Sequence, residues 1–289
     1  MDPGPGLSAR PVRLPDGRFV RIVVAGSGNP LVVFEAGIAV CASVWVSVQP
    51  LVAAHNRTLA YDRAGFGGSD EDPAPRSLER MVADLAAVLS QLDQQSPVIL
   101  VGSSLGGAIV RLFALSHPER VAGLVLVDPA MAEAEPAWLT RRRANGFTLA
   151  ATLARVGLHK PLMMATMKPA LPPSMPQAAR SVLIRDLTSP RNLRAGAREA
   201  REIGDLGSTL TDLQSRGLPD VPVTTIVGAL ADRPRLATLR AAMVEVGRRE
   251  MEHHSGGRFV IASQSSHPIP AQQPELVAAE ITRVVEMVR

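Results

Sequence analysis

Residues 98–107 read Val98-Ile-Leu-Val-Gly102-Ser103-Ser104-Leu105-Gly106-Gly107: an apolar run, then G-x-S-x-G, then a helical pattern over 106–116 that stops before Pro118. The run is apolar on both faces, as a strand inside a helix-covered parallel sheet must be. A chain that leaves such a strand and enters a helix at once must turn sharply. The residue at the apex is then strained and lifted clear of the sheet end. Side chains two residues to either side would collide, so Gly102 and Gly106 are required there, and Gly107 with Ala108 lets the helix pack close. Ser104 is at the apex. The N-terminus of the following helix directs partial positive charge to the space beside it. Ser103, one residue off the motif's centre, is the weaker candidate.

Working outward, similar short runs lie at 19–24, 31–34, 58–61, 122–127, 222–227 and 258–262. Helical patterns separate them. Ser77 can cap a helix whose apolar residues Leu78, Met81, Val82, Leu85, Leu89 and Leu92 recur at spacings of three and four. Residues 236–252 and 274–288 form two more, the second opening on Pro274. The alternation of strand and helix predicts an α/β fold with a mostly parallel sheet. The first 17 residues, rich in Pro, Gly and Arg, are expected to be a loose arm. Between 131 and 216 no strand pattern occurs; helical periodicity, a Met163-Met164-Met167 patch and the breaker run 169–176 predict a helical insertion over the sheet.

Two further loops carry chemistry-bearing residues. Ser265-Ser266-His267-Pro268 follows the last strand and precedes the last helix, which places an imidazole at the sheet's carboxyl edge, where ligands gather. The other histidines, at 55, 117, 159, 253 and 254, fall in connections, helix ends or the insertion. Asp232 lies four residues beyond Gly228, which ends the 222–227 run; its carboxylate is expected to orient His267. Asp128, immediately after the 122–127 run, is the alternative, although capping the turn at Pro129 would suffice to explain it.

These residues resemble the α/β-hydrolase superfamily over nearly the whole chain. The resemblance rests on the elbow at Ser104, on the order Ser104–Asp232–His267, and on Tyr61-Asp62-Arg63-Ala-Gly65-Phe-Gly67-Gly-Ser69, which is similar to the family's D-x-x-G-x-G-x-S loop. It implies a core of 1–130 and 217–289 with a cap at 131–216. It also implies an oxyanion hole formed by the backbone N–H groups of Ile38 and Leu105. Here Ala36-Gly37 replaces the family's usual His-Gly, and Glu35 beside it is expected to pair with an arginine and hold the loop, with a part in substrate selection as the alternative. The implied activity is cleavage of an ester or related acyl bond in a small, apolar substrate through an acyl-enzyme. An acyltransferase, a C–C hydrolase, a cofactor-free perhydrolase and a non-catalytic ligand-binding member of the fold remain as alternatives. A serine at the elbow argues against the branches whose nucleophile is aspartate.

Composition sets the outer bounds. The 289 residues are 46% hydrophobic and 20% charged, which suits a globular protein with a sizeable core. The net charge of +4 is dispersed, and no basic run is interleaved with aromatics, so no nucleic-acid partner is expected. Cys41 is the one cysteine, which excludes an intrachain disulfide and a thiolate metal cluster. No leader-like apolar segment and no run of about 18 apolar residues occurs. The expectation is a cytoplasmic enzyme without metal or organic cofactor, acting on a small molecule, with no stable membrane insertion. The sequence leaves the oligomeric state open.

Overall fold

The computed structural model describes residues 2–134, 136–203, 206–231 and 234–289. Eight strands form one sheet: β1 (Ser8–Arg13), β2 (Phe19–Ala25), β3 (Val32–Glu35), β4 (Thr58–Tyr61), β5 (Val98–Ser103), β6 (Val121–Val127), β7 (Val223–Gly228) and β8 (Gly257–Ala262). Their order is β1-β2-β4-β3-β5-β6-β7-β8. Pairings β1–β2 and β2–β4 are antiparallel; all others are parallel. The chain from 8 to 13 is therefore not the loose arm expected. It forms an edge strand in which Val12 alone is buried, with Pro11 at the edge where proline is tolerated.

Between the strands lie α1 (Gln49–Ala53), α2 (Leu78–Gln91), α3 (Leu105–Ser116) and α9 (Ala237–Glu252), and after β8 come α10 (Ile269–Gln272) and α11 (Pro274–Met287). The Ser77 hydroxyl accepts from the Arg80 N–H and caps α2, as expected. Five helices occupy the segment between β6 and β7: α4 (Ala137–Arg155), α5 (Lys160–Met167), α6 (Gln177–Leu187), α7 (Pro190–Glu202) and α8 (Leu206–Ser215). No strand is found there among the described residues.

Two cores sandwich the sheet, and β5 feeds both. Val98 and Leu100 pack with α2 and α3 on one face, whereas Ile99 and Val101 pack with Phe34, Trp45 and the Val277, Ile281 and Val284 side of α11 on the other. Every β5 residue is buried, which accounts for the unbroken apolar run. The Met patch is divided: Met167, with Met163 against it, joins the cluster of Leu171, Met175 and Val182, while Met164 is exposed.

Candidate active site

The apex of the β5–α3 turn has the strain the sequence implies. Ser104 sits at φ 54° and ψ −122°. Gly102 and Gly106 face each other across it: a Cβ on Gly106 would lie 2.5 Å from the Glu35 carbonyl oxygen and 2.7 Å from that of Ala36. Four described residues other than glycine have positive φ, and three of them, Ala39, Ser104 and Asp128, lie just beyond β3, β5 and β6 at one edge of the sheet. Such backbone costs on the order of 1–3 kcal/mol per residue and persists where packing over-determines it.

Hydrogen bonds bring three distant segments together at that edge. Ser103 and Val127 are register partners, so Ser104 and Asp128 leave adjacent strands at the same level. The Ser104 N–H donates to the Val127 carbonyl, and the Ala130 N–H donates to the Ser104 carbonyl. Asp128 is fully buried. Its Oδ1 accepts from the Gly228 N–H at 3.0 Å and from Arg240 Nη1 of α9 at 2.5 Å. Its Oδ2 accepts from His267 Nδ1 at 2.6 Å. Burial alone would raise the pKa of this carboxyl. The His267 hydrogen bond and the Arg240 charge outweigh burial and hold it below the usual carboxylate range.

The loop bearing His267 is fastened beneath the ring. The Leu230 N–H donates to the Ser265 carbonyl, the Ser266 N–H to Gln272 Oε1 at 2.7 Å, and the Ser265 hydroxyl to Gln273 Oε1 at 2.8 Å. The His267 side chain is 44% exposed. Because an ionised carboxylate can only accept, Nδ1 carries the proton, and in the neutral ring Nε2 is left as acceptor. Asp232, the acid favoured on sequence, lies outside the described residues. The carboxylate found on the imidazole is the alternative, Asp128. Asp128 starts directly at a buried strand end, beside the strand that carries Ser104.

A second buried cluster lies under the loop after β3. Arg63 is 2% exposed in its side chain, and the side chains of Glu35 and Glu199 are wholly buried. Arg63 Nη1 donates to Glu35 Oε1 at 2.6 Å and to the Ala36 carbonyl at 2.7 Å; Nη2 donates to the Gly37 carbonyl at 2.6 Å. Glu199 of α7 takes both Nε and Nη2 of Arg63, at 2.9 and 2.8 Å. The Tyr61 hydroxyl donates to the other Glu35 oxygen. Burial raises the Glu35 carboxyl, and the Arg63 charge opposes it. Burial alone would lower the Arg63 pKa, but Glu199 and Glu35 outweigh it and hold it above its ordinary value. The arginine partner expected for Glu35 is thus Arg63. Sequence spacing alone does not single out Glu199; the available signal is a carboxylate beside the Leu193, Gly196, Ala197 and Ala200 face of an otherwise charged helix. The 62–69 loop is braced by side-chain hydrogen bonds. Asp62 accepts from Arg21 and from the Ala42 N–H, and the Ser69 hydroxyl donates to the Asp62 carbonyl.

A pocket opens at Ser104. Ile38, Leu105, Ala130, Ala200 and Leu206 line it, and Thr140 and Arg143 of α4 add polar groups. Among the described residues, the buried Thr140 hydroxyl has no hydrogen-bond partner. None of the patch methionines is among the described lining residues. Ile38 follows Gly37, at which a Cβ would lie 3.7 Å from Ser104 Oγ; Leu105 opens α3, where helix geometry leaves N–H groups without internal partners.

With this geometry in hand, comparison with known proteins gives the family. A model described as the alpha/beta hydrolase family matches residues 22–280. The chain belongs to the alpha/beta hydrolase family. Among curated relatives, it is 32% identical over 108 residues to the uncharacterized protein YqjL of Bacillus subtilis, covering 37% of this chain and 43% of that one. It is 38% identical over 106 residues to a 2-hydroxy-6-oxo-2,4-heptadienoate hydrolase of Pseudomonas putida, covering 35% and 38%. The matched stretch thus spans 43% and 38% of these two relatives' own lengths. A thermophilic esterase from Thermogutta terrifontis shares the fold, with a TM-score of 0.71, 22% identity and coverage of 97% and 99%. Among the described residues, no helix is long and apolar enough to cross a membrane.

Proposed function

We propose that this alpha/beta hydrolase cleaves an ester or related acyl bond of a small molecule, with Ser104 as nucleophile, His267 as general base and Asp128 as the acid that orients it. The 2.6 Å bond from His267 Nδ1 to Asp128 Oδ2 carries the reading, because it leaves Nε2 as the basic atom of a ring anchored to Asp128, which leaves its strand level with Ser104. His267 takes the Ser104 proton as Oγ attacks the carbonyl carbon. The tetrahedral oxyanion is received by the N–H groups of Ile38 and Leu105. His267 then gives the proton to the leaving group; next it deprotonates a water that attacks the acyl-enzyme, and it passes that proton to Ser104 Oγ as the acid product departs. The chemistry needs no metal or organic cofactor. Residues 131–216 act as the cap over a core of 1–130 and 217–289. The buried, free Cys41 fits the cytoplasmic setting expected on sequence.

The pocket wall combines aliphatic side chains with Thr140 and Arg143, which fits an acyl group bearing a polar substituent better than a wholly apolar one. The Pseudomonas putida relative is named for hydrolysis of an oxo-dienoate, so C–C cleavage on the same three residues is the second reading. Transfer of the acyl group to an alcohol or peroxide would use the same intermediate. Incubation with p-nitrophenyl esters of graded length should give a stoichiometric burst of nitrophenolate, and a fluorophosphonate should label the protein. Ser104→Ala should abolish both without altering the thermal midpoint. Equal labelling of that variant would remove Ser104 from its role, and product analysis with water, alcohol or peroxide as acceptor separates hydrolysis from transfer.

A further inference from the structure

Trans peptide geometry links the Arg63 cluster to the oxyanion site. The Gly37 carbonyl and the Ile38 N–H belong to one peptide plane and point in opposite directions. Arg63 Nη2 holds that carbonyl at 2.6 Å, and Nη1 holds the preceding Ala36 carbonyl at 2.7 Å. With both oxygens fixed from below, the Ile38 N–H is directed away from Arg63. The far side of the loop is held as well. The Ala39 N–H donates to Glu199 Oε1 at 2.9 Å, and Ala39 is kept at φ 59°. Gly196, one turn earlier on α7, packs so closely that a Cβ there would come within 2.7 Å of the Ala39 Cβ and 3.0 Å of its Cα. Glu199 therefore binds Arg63 and the loop backbone at once, and both contacts cross from α7 to the sheet edge.

From this we infer that Glu199 is a positioning residue: α7 seats the Ala36–Ala39 loop through Glu199 and Gly196, so that the oxyanion donor is in place when the helix is docked. The rest of α7 supports a docked state in which this coupling operates. Asn192 Oδ1 accepts from the Gly67 N–H at 2.8 Å, and Arg191 donates to the carbonyls of Gly65 and Ser69. Arg76, itself buried, lies 3.8 Å from Glu199 and brings the cluster to two cations and two carboxylates. Lifting α7 would strip Arg63 of one of its two carboxylates and Ala39 of its acceptor, so the loop would lose its Ala39 anchor and Arg63 would be held less firmly against the Ala36 and Gly37 carbonyls. Access to the pocket and competence of the oxyanion site are then governed by the same helix.

The inference rests on the acyl-hydrolase reading above, and two measurements keep the two separable. The first needs no turnover. Amide hydrogen exchange of residues 36–40 should accelerate at least about tenfold in Glu199→Gln and in Gly196→Ala, with β5 and β6 as protected as in the wild type. The second is kinetic, on p-nitrophenyl ester. Because an oxyanion donor acts in the transition state, kcat should fall, by up to about 10²-fold, with KM within about twofold. Affinity for an arylboronic acid, which forms a tetrahedral adduct on the serine, should fall by the same factor as kcat/KM. Gly196→Ala keeps every charge and so answers for Glu199→Gln if that variant does not fold. Unchanged exchange at 36–40, or a rise in KM at constant kcat, overturns the positioning role. A wild type without any Ser104-dependent burst overturns the hydrolase reading instead, and leaves the exchange result to decide the clamp.

Discussion

Two arginine–carboxylate clusters flank Ser104, and they are built in opposite senses. Around Asp128, one carboxylate is central: Arg240 and the Gly228 N–H take one oxygen, and a half-exposed imidazole takes the other. Around Arg63, one guanidinium is central, and its donors reach two buried carboxylates and two backbone carbonyls. The first arrangement leaves an atom of His267 free to move a proton. The second leaves no mobile member, and its outputs are backbone oxygens. Under the proposed mechanism, charge pairing at one sheet edge thus serves proton transfer or rigidity, according to whether the central group faces a titratable ring or the main chain.

The sharpest way to break this contrast is at its titratable end. Asp128→Asn should lower kcat by about 10⁴-fold, since an amide there favours the wrong imidazole tautomer. Asp232→Asn should stay close to wild type. The reverse result in ester turnover would restore Asp232 as the acid and reduce Asp128 to a structural role. At the other cluster the large effect should be on stability. Arg63→Met strands two buried carboxylates, which typically costs about 3–5 kcal/mol, read as a lower urea midpoint at constant m-value. A midpoint shift under about 1 kcal/mol would show the cluster to be neutral overall.

Acidity separates the clusters further. The folded-state pKa of Asp128 lies below its unfolded value. Its contribution to stability is therefore complete above the ordinary carboxylate range, about pH 4, and is lost as pH falls through the lower folded-state value. The stability gap between wild type and Asp128→Asn, from urea titrations, should narrow as pH falls below about 4. A gap that stays undiminished through the acid range would contradict the pairing. The smallest effect is expected for Arg240→Gln. Arg240 uses Oδ1 whereas His267 uses Oδ2, so kcat should change by less than about tenfold. A loss comparable to that of Asp128→Asn would make Arg240 part of the catalytic geometry rather than a neighbour of it.

What could be read in the chain beforehand was local. The β5–α3 elbow follows from the apolar run and from glycines placed where a Cβ would strike neighbouring backbone, and both are visible within ten residues. The β4 run at 58–61 coincides with the observed strand, and the α2 helix with its Ser77 cap follows from spacing alone. His267 could be proposed because it stands between the last strand and the last helix. The edge strand β1 could not: with only Val12 buried and Pro11 in its middle, nothing in its composition distinguishes pairing from a coil.

The same limit applies to the site. Asp128 and Asp232 each follow a strand-like run, and sequence spacing ranked the second higher. Only the packing of β6 between β5 and β7 puts a carboxylate beside both Ser104 and the His267 loop. Glu199 stands in Arg-Glu-Ala-Arg-Glu, which reads as a solvated helix face, and became a buried partner because α7 docks on the Ala39 loop 160 residues away in sequence. The sequence by itself determined where the chain must turn, which segments must be covered and which serine stands raised, because those depend on sterics and periodicity among near neighbours. Tertiary structure decided which charges meet, because the energy of a buried ion pair depends on distance and desolvation between segments whose order along the chain does not encode their separation in space.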